Sequence, residues 1–444
     1  MSKGLASIFA DQIFERKSYL MLEVNRIRTQ YDDVLAGLRK RNWPAEQLAL
    51  VDEILTTDEE RKNAQKALDE LLAKRNVWSK EIGDLMRNGQ KDAAEVKKSA
   101  VNQLNAETDL HQNSFNEAKE KLQNLLLQVP NVPYRLVPPG HGAEDNEVYK
   151  AWTSPIPTDK PIPHWDLAKK YNLIDFELGV KITGSGFPIY RGKGAKLERA
   201  LINFFLDEAV KAGYEEILPP LMVNEKSARG TGQLPDKEDQ MYYVGKDDFY
   251  LIPTAEVPVT NIYREVIIPE QEFPIKLTAY TPCFRREAGS YGAHVKGLNR
   301  LHQFDKVEIV RFEHPDASYH ALDEMLGHVE GLLTKLELPY RILRLCGGDM
   351  GFASAMTFDF EVYSVAQGRW LEVSSVSNFE TFQTNRMQTR FKTKDGRVAL
   401  AHSLNGSALA LARIVAAILE LYQEPDGIQI PQVLIPFMGC ERIA

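Results

Sequence analysis

A chain of 444 residues with 43% hydrophobic and 26% charged residues has room for two or three domains and the composition of an ordinary globular protein. Its formal net charge of -8 argues against nucleic-acid binding by bulk charge, so any such contact has to be local. The three cysteines, Cys283, Cys346 and Cys440, match no metal spacing and no disulfide framework, and no apolar run approaches the roughly 20 residues that span a bilayer.

Along the chain, Asp11, Glu15, Arg16 and Lys17 interrupt the apolar positions of the first 20 residues, unlike a signal peptide, so the cytoplasm is the expected location. Met21 to Asn42 reads as helix and leads through Pro44 into a second helical stretch from about Glu46 to Leu55. From Asp58 to Val129 two long helices are predicted, broken near Asn88-Gly89. One carries a seam of Ala64, Leu68, Leu71, Trp78, Ile82 and Leu85. The other carries Ala94, Val101, Leu104, Phe115, Ala118, Leu122 and Leu125. Pairs such as Trp78 with Val101, Ala64 with Phe115 and Leu85 with Ala94 share one index sum, as an antiparallel hairpin requires. Such a hairpin would stand off the body as an arm. A dimerising coiled coil or a scaffold rod is the alternative reading, and the basic residues gathered at the arm's outer part, Lys80, Arg87, Lys91, Lys97 and Lys98, are interleaved with acidic ones, as on a solvated face. Prolines at 130, 133, 138 and 139 end it, and the stretch to about Pro163 reads as a linker.

Beyond Trp165 helices and short strands alternate, with helices at Leu197 to Ala212, Ser318 to Leu336 and Ser407 to Tyr422; this suggests an antiparallel sheet in an α+β domain. The most informative stretch is Tyr280 to Val310, YTPCFRREAGSYGAHVKGLNRLHQFDKVEIV, which predicts two antiparallel strands joined by a long loop. Loops this long in compact domains are usually functional. Arg285 and Glu287, at i and i+2, share a strand face, and a guanidinium beside a carboxylate and near Arg286 suits a polyphosphate; a charged surface hairpin is the bland alternative. No phosphate-binding G-x-x-x-x-G-K-[ST] or convincing G-x-G-x-x-G is present, so a nucleotide would be held on a sheet by arginines. Thr254-Ala255-Glu256 places two polar groups at strand spacing. Glu372 to Asn378 alternates polar side chains along another strand. Asn405-Gly406-Ser407 opens the last helix, where Arg413 lies among Leu409, Leu411, Ile414 and Val415 and needs a partner.

Together these segments resemble the class II aminoacyl-tRNA synthetases and, among them, closely the bacterial-type seryl-tRNA synthetases. GYEEILPP with Pro220, FRREAGS to HQFDKVE with Arg285 and Glu287, and NGSALALAR with Arg413 correspond to the three class II motifs. PTAEVP, GDMGF, EVSSVSNF and the hairpin ending VPNVP match the seryl type, from about Met21 to Met438. The resemblance implies a helical tRNA-binding arm over 21–129, a linker over 130–163 and a catalytic domain over 164–444. Residues 1–20 have no counterpart, being either an extension or a stretch ahead of a start at Met21. It implies ATP-dependent activation of L-serine and transfer to serine tRNA, selenocysteine tRNA included where present, by a homodimer using Mg²⁺. Arg285 and Arg413 would be catalytic. Arg285, Arg286, Glu287, Arg300, Leu301, Phe304, Glu372, Val373, Ser374, Ser375 and Arg413 would bind ATP, with Glu372 and Ser375 holding the metal. Thr254, Ala255, Glu256, Arg285, Glu308, Asn405 and Ser407 would surround the serine. Arg87, Lys91, Lys97 and Lys98 would be tRNA contacts on the arm, and the tip from Gly289 to Lys296 would meet the tRNA end. Ala408, Ala412, Lys296, Asn385 and Gly186 depart from the family's usual residues. Two other functions remain in view: a related ligase charging a carrier protein, and a catalytically silent RNA-binding or scaffold protein.

Overall fold

A computed structural model describes residues 23–156, 161–235, 239–287 and 296–444. The chain divides into two compact units. One holds Trp43–Pro130 with the described residues before Lys40; the other holds Lys40–Asn42 and the described residues from Asn131 to Ala444.

The first unit is all helix: α1 (Val24–Thr29), α2 (Tyr31–Lys40), α3 (Ala45–Arg87) and α4 (Lys91–Leu126). The helix expected to stop near Leu55 instead runs without a break from Ala45 to Arg87. Thr56 does not interrupt it, because its hydroxyl donates to the Asp52 carbonyl one turn back at 3.0 Å. The α3 and α4 seams face inward as the heptads predict, with Leu68, Ala94, Leu104, Phe115, Leu122 and Leu125 buried. Thr108, a polar seam residue, is satisfied by the Leu104 carbonyl at 2.7 Å. Cross-helix ion pairs of Lys97 with Glu81, and of Lys121 with Glu53 at 2.9 Å, agree with the antiparallel register. Near its base, buried Asp58 takes Arg28 and Arg61 at 2.8 Å and Lys62 at 3.0 Å. Burial raises the Asp58 carboxyl, and Arg61 and Lys62 outweigh it and hold it below its ordinary range.

In the second unit an eight-stranded sheet runs β1 (Glu147–Ala151), β2 (Glu215–Glu216), β3 (Ile275–Phe284), β4 (Gln303–Glu313), β5 (Tyr340–Arg344), β6 (Met356–Ser364), β7 (Arg369–Glu380) and β8 (His402–Ala410) in chain order. Its spatial order is β1-β5-β6-β7-β8-β4-β3-β2. Every pairing is antiparallel except the short β2 against β3, which gives the expected α+β class. Strand β1 lies within the stretch read from the sequence as a linker.

Three helices cover one sheet face: α5 (Lys193–Lys211), α6 (Ser318–Lys335) and α7 (Leu411–Leu421). Their apolar sides meet Val307, Ile309, Phe358, Phe360, Val362, Val376 and Leu404 in one core, where each fully buried Leu or Phe contributes about 1.5–3 kcal/mol. The period of two then sends the intervening residues, Lys306, Glu308, Thr357, Asp359, Asn405 and Ser407, to the opposite face, where they line a cavity. All three cysteines are free thiols. Among the described residues no helix is long and apolar enough to cross a membrane.

Candidate active site

The cavity has a volume of about 620 Å³ and joins differently furnished walls. At one end stand Thr254, Glu256, Lys306, Glu308, Asn405 and Ser407; at the other, Arg285, Glu287, Arg300, Glu372 and Ser375. An adjoining pocket of about 90 Å³ shares Arg285, Glu287, Arg300, Lys306, Glu372 and Ser407, so it reaches both groups, and it adds Leu301, Phe304, Val373, Ser374 and Arg413.

The strand pair predicted from Tyr280 to Val310 forms, with Phe284 opposite Gln303 and Ala279 opposite Glu308. Arg285 and Glu287 lie beyond the end of β3, so strand alternation is not what brings them to one wall. Glu287 has φ 49, a left-handed turn residue, and its carboxylate takes Arg300 at 3.1 Å. Arg285 is fixed through Nε, which donates to the Pro253 carbonyl at 3.3 Å, with its guanidinium 5.3 Å from the Phe304 ring centroid. Arg286 lines neither cavity; its guanidinium pairs with Asp239 at 3.2 Å. Of the loop tip, only Lys296 falls within the described residues, and it sits 4.5 Å over the Trp165 ring.

Two polar clusters adopt structures other than those expected. Asn405 and Ser407 do not open a helix: they lie inside β8, Asn405 paired with both neighbouring strands and Ser407 with β4, and the helix begins at Leu411. Gly406 is required there by close packing, since a Cβ would stand 2.9 Å from Val376 Cγ2. Thr254 to Glu256 is not a strand either. The Thr254 hydroxyl accepts the Glu256 N–H at 3.2 Å and starts a short helix, Glu256–Thr260. Ala255 is wholly buried among Val259, Ile268 and Ala279, away from the cavity.

Glu372 and Ser375 are three residues apart and would face opposite ways on a regular strand. The register slips between Phe360 opposite Ser374 and Glu361 opposite Glu372, leaving Val373 unpaired; this bulge turns both polar side chains to the cavity. Ser374 points elsewhere and donates to the Ser407 carbonyl at 2.5 Å. Two hard oxygen donors on one wall suit a Mg²⁺ ion that takes its other ligands from phosphate and water. Among the described residues no group of three or more His, Cys, Asp or Glu side chains is arranged to hold a metal on its own.

The electrostatics differ between the ends. Partial burial holds the Arg413 guanidinium below its ordinary value; Glu372 opposes this, while Arg300 and Arg285 add to it. Three mutually repelling guanidinium groups around one pocket favour an anion of multiple charge. At the other end Lys306, which sequence reasoning missed, is buried with Nζ 2.5 Å from Glu308 and 2.8 Å from the Thr254 hydroxyl. Thr254 in turn donates to Glu308 at 3.4 Å. Glu256 takes Gln383 Nε2 at 2.6 Å; burial, then the charge of Glu308, pushes its carboxyl up to about 7. Lys306 alternates with Glu308 on a strand whose partners only the fold reveals, which explains the omission.

Departures from the family's usual residues also find places. Gly186 has φ 83, and a Cβ there would lie 2.4 Å from the His302 ring, so that ring occupies the space a larger residue would need. Ala412 lines the smaller pocket and Ala408 lies in the core. On the arm, Lys97 pairs with Glu81, Lys98 with Glu95, and Arg87 with Asp84 at 3.4 Å, whereas Lys91 is exposed.

Comparison with known proteins accords with this geometry. A family model described as the tRNA synthetase class II core domain (G, H, P, S and T) matches residues 242–422, and one described as the seryl-tRNA synthetase N-terminal domain matches residues 21–133. The chain is 48% identical over 427 residues to the serine–tRNA ligase of Salinibacter ruber, covering 95% of this chain and 99% of that one. It is 44% identical over 434 residues to that of Prosthecochloris aestuarii, with coverage of 95% and 99%. Its structure is similar to the seryl-tRNA synthetase of Pyrococcus horikoshii solved in complex with ATP, with a TM-score of 0.87 and 32% identity over 96% of this chain and 99% of that one.

Proposed function

The chain belongs to the seryl-tRNA synthetase family of class II aminoacyl-tRNA synthetases, and on that premise we propose that it activates L-serine with ATP and transfers the seryl group to serine tRNA. Selenocysteine tRNA, where present, is a substrate of the same kind. The observation that carries this reading is the cavity and its adjoining pocket, which together bring Arg285, Arg300 and Arg413 to one site with the buried carboxylates Glu256 and Glu308.

Serine's carboxylate is ionised at neutral pH and needs no general base. It attacks the α-phosphorus of ATP in line, the bond to the bridging oxygen breaks, and pyrophosphate leaves. Arg285 stabilises the charge that develops on the α-phosphate, and Arg413 and Arg300 hold the β- and γ-phosphates. Phe304 stacks on the adenine, with Glu287 at its polar edge. The protein's contribution is thus positioning and fixed charge. Mg²⁺ held by Glu372 and Ser375 would neutralise phosphate charge. At the other end Glu308 and Glu256 take the serine ammonium and hydroxyl, beside Thr254, Asn405 and Ser407. A site that hydrogen-bonds the hydroxyl rejects alanine, which would leave buried oxygens unpaired. A ribose hydroxyl at the tRNA 3' end then attacks the adenylate carbonyl and AMP leaves.

The 21–129 arm is read as the tRNA grip, by backbone and shape contacts rather than bulk charge. A homodimer formed through the segment around Gly213 to Pro220, where Leu218 is 89% exposed, and a cytoplasmic location complete the proposal. Charging of a carrier protein is not favoured, because the resemblance to serine–tRNA ligases spans the arm as well as the body. Serine-dependent ATP–pyrophosphate exchange tests the assignments: Arg285→Ala and Arg413→Ala should each lower it by about 100-fold or more in protein that circular dichroism shows to be folded. Exchange retained in either variant removes that arginine from its role.

A further inference from the structure

His164 is fully buried, and no step of the proposed reaction uses it. Its Nδ1 lies 2.7 Å from Glu420 Oε1, and the Leu298 N–H donates to its Nε2 at 3.0 Å. A backbone N–H can only donate, so Nε2 is the bare nitrogen and Nδ1 carries the proton, which it gives to Glu420. Glu420 is also fully engaged. Oε1 accepts the His164 N–H at 3.2 Å, and Oε2 accepts the Ser364 hydroxyl at 2.5 Å and the Ala366 N–H at 3.3 Å.

What this pair holds is the backbone entering the phosphate end of the site. Leu298 is followed by Asn299, whose carbonyl accepts Arg413 Nε at 3.1 Å, and then by Arg300. The Asn299 side chain is clamped by Gln367 at 2.9 Å, beside the turn that Glu420 holds. Gly297 has φ 69, and a Cβ there would stand 2.3 Å from His164 Nε2, so the glycine is what lets the backbone reach the ring. Glu420 and Arg413 occupy the last and first turns of the same helix, α7. The path from Glu420 through His164, Leu298 and Asn299 therefore closes back on Arg413. An apolar plug would fill the same space at no cost in desolvation; the polar pair adds direction.

We infer that His164, held by Glu420, is a positioning residue for ATP: it fixes the Leu298–Arg300 backbone and so sets where Arg300 and Arg413 meet the phosphates. The inference rests on the reading of those two arginines as phosphate ligands. Two variants separate the ends of the imidazole. In His164→Asn the side-chain amide can still donate to Glu420 but cannot reach Leu298. In His164→Gln the carbonyl can accept from Leu298 and the Glu420 contact is lost. His164→Asn should weaken equilibrium binding of Mg-ATP and raise the ATP KM by about 10- to 100-fold, with the serine KM within about twofold of the unaltered protein. His164→Gln should recover most of the ATP affinity. Should neither variant fold, Gln367→Ala, which releases the Asn299 clamp at a half-buried position, should raise the ATP Kd several-fold. Folded His164→Asn with unchanged ATP binding, equal losses for ATP and serine, or unchanged ATP binding in Gln367→Ala where the histidine variants fail would each overturn the inference. Direct ATP binding reads the tether, whereas exchange by the unaltered protein reads the ligase function, so failure of one is distinct from failure of the other.

Discussion

Glu256→Gln removes a charge from the amino-acid end of the site while keeping nearly the same shape. Glu256 is only 9% exposed, and burial followed by the Glu308 charge raises its carboxyl from an ordinary 4.5 to about 7. A carboxyl raised on folding binds its proton more tightly in the folded state. The folded protein therefore carries no penalty below about pH 4.5 and loses stability as pH rises from there through about 7. At about 1.4 kcal/mol per pH unit, that interval corresponds to about 3 kcal/mol. Glutamine cannot ionise and can still accept from Gln383, so the variant escapes the loss. Urea unfolding of the ligand-free protein, followed by near-ultraviolet circular dichroism, should give matching stabilities near pH 4.5. At about pH 8 the variant should be more stable by about 3 kcal/mol. The same variant should raise the serine KM by about 10-fold or more, because the ammonium loses a charged acceptor. A stability difference that is flat with pH, or absent at high pH, would show that Glu256 is ionised throughout and refute the reasoning.

Lys306→Met leaves Glu308 buried without its cation and should cost about 3–5 kcal/mol at neutral pH, read as a lower urea midpoint; an unchanged midpoint would deny that the pair is desolvated. Glu372→Gln should raise the Mg²⁺ concentration that half-saturates ATP binding by about 10-fold or more, with the serine KM unmoved, and equal sensitivity of both would place Glu372 elsewhere. Removing residues Glu81 to Asn102 takes away facing parts of α3 and α4, so the remaining hairpin can reclose. Serine-dependent exchange should survive and tRNA charging should fall by about 100-fold or more; charging at the original rate would contradict the arm's assignment.

Much of this architecture is legible in the sequence because local periodicity carries it. The heptads of α3 and α4 state both the helices and their antiparallel pairing, and Tyr280 to Val310 displays its two strands directly. Errors arise where tertiary contacts override local pattern. Ser407 and Asn405 look like a helix start, yet pairing of both with β4, and of Asn405 with β7 as well, holds them in a strand. Glu372 and Ser375 share a wall through a one-residue bulge that composition does not reveal. Arg286 and Ala255 adjoin site residues in sequence and still turn away from the cavity. Lys306, His164 and Glu420 went unnoticed for another reason: each owes its meaning to a partner whose place only the sheet and α7 determine.

Whether this cavity joins serine to ATP for delivery to tRNA is decided by ATP–pyrophosphate exchange measured across the amino acids, followed by charging of serine tRNA with the amino acid that exchanges. Exchange is expected with serine and little with alanine or threonine, and seryl-tRNA should form at the expense of the adenylate. Exchange with no amino acid would contradict the ligase function, and exchange without charging would contradict tRNA as the acceptor.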